Sequence, residues 1–287
     1  MHMDKETVIA YDQSSADLAI GLSSKLGMPK EGMIEIKRTS FLDSEFKIQF
    51  SEEVRGRDVL LISRIYPGIN DNIVALMFAL KKLNDLGNSV SVAMPYLAYA
   101  RQDREFLKGE AASIFVLADM LKHYGVKGLI VFDMHNTSII SSLGIKVRNI
   151  TAIPYLAECI AKLGDTGNMF VISPDEGSKG RSEVFAKAIG AECTYLEKRR
   201  DRVTGEIDTK SKDIDLSGKD AIIFDDMIAT GGSMANAAKI AKVNGAKRVI
   251  AVCTHALMLD SDRKKARGFR SRADNSYKHN KQPIRKG

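Results

Sequence analysis

Two rhythms of apolar and polar positions alternate along the chain. Short continuous apolar runs recur at Val8–Tyr11, Asp58–Ser63, Val90–Met94, Gly128–Phe132, Met169–Ile172, Cys193–Leu196, Ala221–Phe224 and Arg248–Cys253. Such runs, bounded by charge or turn residues, predict strands buried on both faces. Between them lie amphipathic stretches at about Ala16–Leu26, 70–87, Ala111–Tyr124, Pro154–Gly164, Gly180–Ile189 and Ser233–Val243. In the second, Ile73, Leu76, Met77, Leu80 and Leu83 recur on one helical face, Asn70 or Asp71 is placed to cap, and Gly87 to terminate. Strand–helix alternation of this kind predicts an α/β protein with largely parallel sheets. The series restarts after Gly144, so two similar domains are expected, residues 1–148 and 149–260.

Polar clusters follow the strand-like runs directly. They are Tyr99–Arg104, Asp133-Met134-His135, Ser173–Ser178, Lys198-Arg199-Arg200 and Asp225-Asp226. Ligands of open parallel sheets sit beyond the carboxyl ends of strands, so five such clusters point to a site rather than to ordinary loop polarity. The sharpest segment runs from Ala221 to Ser233: a buried strand, two carboxylates, then Thr230-Gly231-Gly232-Ser233 opening a helix. Glycines admit close backbone approach, and N–H groups at a helix start can cradle a phosphate. Neighbouring carboxylates suit ribose hydroxyls or a hard divalent cation. The plain alternative is a tight strand–helix turn with Ser233 as N-cap. Neither G-x-x-x-x-G-K-[ST] nor G-x-G-x-x-G occurs, against P-loop and dinucleotide-binding folds.

Composition adds three bounds. With 44% hydrophobic and 28% charged residues, the chain can build cores and is not globally disordered. It has no apolar run of membrane-spanning length, its first residues lack a signal-peptide apolar region, and its three cysteines lack metal-ligand spacing. A cytoplasmic setting without a membrane partner is therefore expected. The net charge of +7 belongs entirely to the end: from Asp260 to Gly287 there are ten Lys and Arg against three Asp, leaving a neutral body. Residues 261–287 carry no helical or strand period and are expected to be a disordered basic tail or an altered C-terminus. A basic tail can attract nucleic acid, but the body has neither the charge nor a motif for it, so that partner is not expected.

The run Phe224–Ser233 resembles the phosphoribosyl-pyrophosphate loop of type I phosphoribosyltransferases and ribose-phosphate pyrophosphokinases. Pro95–Arg104, Val54–Asp58, Asn70–Asn72, Phe132–His135, Ser173–Asp175 and Glu197–Arg200 are similar to signatures of the second family, in order and spacing, across about residues 5–258. The short chain resembles the archaeal-type branch. The resemblance implies two domains of phosphoribosyltransferase-like architecture and transfer of the β,γ-diphosphoryl group of ATP to the 1-hydroxyl of ribose 5-phosphate, with AMP released and Mg²⁺ required. A phosphoribosyltransferase shares the loop but has no need of Tyr99–Arg104 or of the Lys198/Arg200 pair. A non-catalytic relative would be expected to have lost such residues first.

By the same resemblance, Arg101, Gln102 and Asp103 bind ATP together with Phe41, Asp43, Ser44 and Glu45. That second group reaches in from a neighbouring subunit, so a homodimer or higher assembly with a shared nucleotide site is implied. Lys198 and Arg200 are the catalytic pair on a mobile arm, and Arg200 also faces the sugar phosphate. Asp225 and Asp226 hold the ribose hydroxyls, and Ala229, Thr230, Gly231, Gly232 and Ser233 the 5-phosphate. His135 is a Mg²⁺ ligand and Asp175 serves a second metal and the ribose side, with Asp133 orienting His135. Ala229 departs from the family, where Asp is frequent; a backbone cradle does not need that side chain. His255, ending a strand near the loop, reads as structural.

Overall fold

The computed structural model describes residues 7–200, 207–210 and 214–258; for 198–200 and 207–210 the description extends to backbone pairing. The tip of the expected catalytic arm and the basic tail from residue 259 on lie outside the described residues. The chain divides into two compact units, Met1–Ala152 and Ile153–Gly287.

The first unit contains β1 (Val8–Asp12), α1 (Ala16–Leu26), β2 (Met33–Ser40), β3 (Phe46–Phe50), β4 (Asp58–Ile62), α2 (Ile69–Asp85), β5 (Ser89–Ala93), α3 (Ser113–His123), β6 (Gly128–Phe132) and β7 (Val147–Ile150). Its strands form one sheet in the order β3-β2-β1-β4-β5-β6-β7. Only the β2–β3 pair is antiparallel; the others run parallel. The continuous apolar runs are explained by burial on both faces. Val59 and Leu61 pack in the core beneath α2 and α3, while Leu60 and Ile62 join Ile9 and Ala19 beneath α1.

Strands β2, β3 and β7 were not among the elements expected from the pattern. β2 and β3 form the sheet edge, where Lys37, Arg38, Lys47 and Gln49 face water and break up the apolar run. A half-wetted edge hairpin reads as polar turn. The cap of α2 also differs. Gly68 occupies the N-cap, while Asn72 donates to the carbonyls of Ile65 and Pro67, at 2.8 and 2.6 Å, and Asn70 accepts from Tyr99.

The second unit contains α4 (Ile153–Ala161), β8 (Met169–Ser173), α5 (Lys179–Ile189), β9 (Glu192–Tyr195), the antiparallel pair β10 (Glu197–Arg200) and β11 (Ile207–Lys210), β12 (Asp220–Ile228), α6 (Gly232–Val243) and β13 (Arg248–Ala256). The main sheet is parallel in the order β13-β12-β8-β9. From β8 the chain moves to β9 on one side; from β12 it moves to β13 on the other. The strand order therefore reverses between β8 and β12, and the carboxyl ends at such a reversal are where open parallel sheets bind ligands.

β12 is longer than its apolar run suggests. It pairs with β8 only as far as Ile223↔Ile172, but with β13 on through Asp225↔Cys253 to Ile228↔Ala256. Asp225 and Asp226 thus lie within a strand rather than in a loop after one. Ile222 and Phe224 face α4 and α5, and Ala221 and Ile223 face α6. The rings of Phe185 in α5 and Phe224 stack at 4.4 Å and 11°, both almost wholly buried. That stack seats α5 on the strand one residue before its carboxylates. Phe185→Ala is expected to cost about 3–5 kcal/mol through lost burial and a residual cavity, measured as a lower urea midpoint; an unchanged midpoint would show that α5 is held elsewhere.

Candidate active site

In the first unit the expected residues sit on three loops. Phe41, Asp43, Ser44 and Glu45 form the tip of the β2–β3 hairpin, closed by Phe41 N–H to the Glu45 carbonyl at 2.7 Å and by Glu45 N–H to Asp43 Oδ1 at 3.0 Å. Phe41 and Leu42 at this tip are exposed. The second loop follows β5. Tyr99 turns the chain in the left-handed region at φ 62° and accepts from Gln102 N–H at 2.8 Å. Its hydroxyl is anchored on Asn70 Oδ1 at 2.5 Å. Arg101 is exposed beyond it. Glu110 Oε2 accepts from the N–H groups of Phe106 and Leu107, both at 3.0 Å, and from Gln102 Nε2 at 3.3 Å. These contacts, the Leu107 N–H foremost, hold the Glu110 carboxyl below its ordinary pKa.

The third loop follows β6. Asp133, nearly buried and at φ 38°, accepts from Ala152 N–H at 2.9 Å. His135 is exposed at the strand's carboxyl end. Asn136 Nδ2 donates to Asp103 Oδ2 at 2.6 Å, tying the His135 loop to the Arg101–Asp103 loop. Ser44, Tyr99 and Asp133 are the non-glycine residues with positive φ among the described residues, and each lies on one of these loops. Strain gathered on candidate ligand loops is a mark of a functional site.

In the second unit the residues gather at the strand-order reversal. After β8, Ser173 Oγ donates to the Asp175 carbonyl at 2.7 Å, and Asp175 Oδ1 accepts from Ser178 N–H at 3.1 Å. Ser178 Oγ donates to Asp225 Oδ1 at 2.5 Å, and the same oxygen accepts from Asp226 N–H at 2.9 Å. Asp226 is 2% exposed and lies 3.6 Å from Arg181 Nη2. Beyond Ile228 the chain turns through Ala229 and Thr230 into α6. Gly231, at φ 77°, is the N-cap, so Ser233 does not take that role. A side chain at 231 would be strained; Thr230, Gly232 and Ser233 stand exposed around it. The loop thus presents early helix N–H groups beside a carboxylate pair, a fit for a phosphate attached to a diol. His255, 8% exposed, lies in β13 opposite Met227.

Lys198 and Arg200 stand two positions apart in β10, which pairs with β11 as Lys198↔Thr209 and Arg200↔Ile207.

Comparison with known proteins gives the family. The N-terminal domain of ribose phosphate pyrophosphokinase matches residues 7–125, and the phosphoribosyl transferase domain matches residues 148–284. The ribose-phosphate pyrophosphokinase of Sulfolobus acidocaldarius is 37% identical over 80% of this chain and 79% of its own. That of Methanothermobacter thermautotrophicus is 33% identical over 86% and 84%. The chain belongs to the ribose-phosphate pyrophosphokinase family. The crystal structure of phosphoribosylpyrophosphate synthetase from Mycobacterium smegmatis superposes with a TM-score of 0.77 at 25% identity, over 91% of this chain and 84% of that one. The second domain match runs on into the basic segment, to residue 284.

Ribose-phosphate pyrophosphokinase chemistry calls for a hard cation, and the donors fit one carried by the nucleotide. Among the described residues no three His, Cys, Asp or Glu side chains group as a ready-made cage. Mg²⁺ keeps several waters and takes ligands from phosphates, needing only one or two protein groups. The exposed imidazole of His135 in the first unit and, separately, the carboxylate of Asp175 in the second are each a group of that kind. No described helix is long and apolar enough to cross a membrane.

Arg181, Asn136 and Glu110 were not singled out by sequence reasoning, and Ser178 entered only as the end of the Ser173–Ser178 cluster, with no role of its own. Each acts through a partner distant in sequence or through loop backbone, so spacing carries little trace of them.

Burial, and next the Asp226 carboxyl beside it, push Asp225 up to about 6, while the Ser178 hydroxyl pulls it down. A carboxyl that binds its proton more tightly folded than unfolded stabilises fully below about pH 4 and loses that contribution as pH rises through 6. Asp225→Asn cannot ionise. Its stability relative to the unsubstituted protein is expected to rise between pH 4 and 7.5 by on the order of 1–3 kcal/mol, read from urea unfolding across that range. A difference independent of pH would contradict the shift.

Proposed function

We propose that this ribose-phosphate pyrophosphokinase transfers the β,γ-diphosphoryl group of ATP to the 1-hydroxyl of ribose 5-phosphate and releases AMP. The observation that carries the reading is the carboxylate-bearing end of β12 running into the Gly231-capped start of α6, at the strand reversal of the second unit. The loop from Ala229 to Ser233 receives the 5-phosphate on backbone N–H groups. Asp225 accepts from a ribose hydroxyl; Asp226, expected to share that role, is almost wholly buried beside Arg181 and supports it from behind. The sugar's C1 oxygen then attacks the β-phosphorus, the bond from that phosphorus to the α-bridging oxygen breaks, and AMP leaves. The hydroxyl proton passes to solvent.

Arg101, Gln102 and Asp103 hold ATP, with Phe41, Asp43, Ser44 and Glu45 reaching from a second copy of the chain. The exposed apolar hairpin tip supports that sharing and hence a homodimer or larger assembly. Lys198 and Arg200 close on the transferring group, where charge spreads over its oxygens and fixed cations stabilise it most. Mg²⁺ held by His135, and a second ion held by Asp175 on the ribose side, would each neutralise polyphosphate charge when bound. The three free cysteines fit work in the cytoplasm.

AMP is expected to form from ATP and Mg²⁺ only when ribose 5-phosphate is present. Lys198→Ala should lower kcat by about 10²–10³, as removing one transition-state contact does elsewhere. Sugar-independent AMP release, or full activity in the variant, would overturn the assignment.

A further inference from the structure

Ser178 occupies the N-cap of α5, where a serine hydroxyl ordinarily accepts a hydrogen bond from the first turn of its own helix. Here it makes no such cap. The residue is 4% exposed, and its hydroxyl donates instead to Asp225 Oδ1, 47 residues along the chain, at 2.5 Å. Its own N–H is held by Asp175 Oδ1 at 3.1 Å. One residue therefore bridges two carboxylates, Asp175 on the loop after β8 and Asp225 in β12. Its hydroxyl and the Asp226 N–H both fall on Oδ1 of Asp225. Two donors on one oxygen fix the plane of a carboxylate and with it the direction of the other oxygen.

Behind this bridge, Ser182 Oγ donates to the Phe224 carbonyl at 3.2 Å, and Arg181 stands 3.6 Å from Asp226. The first turn of α5 is thus fastened to three consecutive residues of β12. Only the Ser178 contact reaches the carboxylate that is less than fully buried.

We infer that Ser178 is a positioning residue for ribose 5-phosphate: it gives up its helix-capping role to hold Asp225 in the orientation that accepts a sugar hydroxyl. The inference rests on the reading of Asp225 as a ribose ligand. Because the hydroxyl acts on the sugar side of the site, its loss is selective between substrates.

The test compares Ser178→Ala, Ser178→Thr and Asp225→Asn with the unsubstituted protein, in steady-state kinetics with ATP and ribose 5-phosphate and in calorimetric titration with ribose 5-phosphate. Ser178→Ala is expected to raise KM and Kd for the sugar phosphate about tenfold or more, the scale of a lost hydrogen bond to a charged group. KM for ATP should stay within about twofold and Ser178→Thr should recover most of the loss. In the Asp225→Asn background, Ser178→Ala should add little further effect, because the two act as one unit. If the alanine variant does not fold, Ser178→Cys keeps the volume and weakens the donor, and a selective rise in the same constants is expected. Sugar affinity unchanged in a folded variant, or equal losses toward both substrates, would overturn the role of Ser178 while leaving the site reading intact. Absence of ribose 5-phosphate binding by the unsubstituted protein would overturn both.

Discussion

Two adjacent carboxylates on a largely buried strand are costly unless something holds them, and the second unit is arranged around that cost. Asp226 meets Arg181 and Asp225 meets Ser178. Both partners come from the start of α5, whose position is set by the stack of Phe185 on Phe224. Hydrophobic packing thus sets the distance at which the polar contacts form. The same helix start carries the Asp175 loop, so one packed interface places the candidate metal carboxylate and the candidate sugar carboxylate in a common frame.

The first unit uses a different device. Its candidate nucleotide residues lie on loops that turn through left-handed, non-glycine positions, at a cost of about 1–3 kcal/mol each. Side-chain anchors hold these turns: the Tyr99 hydroxyl on Asn70, Asp133 on the Ala152 N–H, and Glu110 closing its own loop. Asn136 then ties the loops after β5 and β6 to each other through Asp103. Anchors of this kind reduce the ordering entropy that a loop loses on binding a polyanion.

The helices and the central strands could be read from apolar pattern because they are buried on one stripe or on both faces. The edge pair β2–β3 could not, because exposed polar residues dilute its alternation. The end of β12 was misread for a related reason. Asp225 and Asp226 look like a loop, and only the longer partner β13 keeps them in a ladder. At the site, the Thr230–Ser233 segment stood out because glycine-rich helix starts are local. Ser178 and Arg181 did not, since their partners lie more than forty residues away and no local spacing encodes them. Lys198 and Arg200 were named from resemblance, and the structure describes only the backbone pairing of β10 with β11 around them.

The central claim is that a diphosphoryl group, not a single phosphoryl group, moves to the sugar. ³¹P NMR of a completed reaction with ATP, Mg²⁺ and ribose 5-phosphate tests it most directly. The account predicts AMP together with a sugar carrying two coupled phosphorus signals on its C1 oxygen and one isolated signal at C5. ADP together with a sugar bearing single phosphates at C1 and C5 would contradict it.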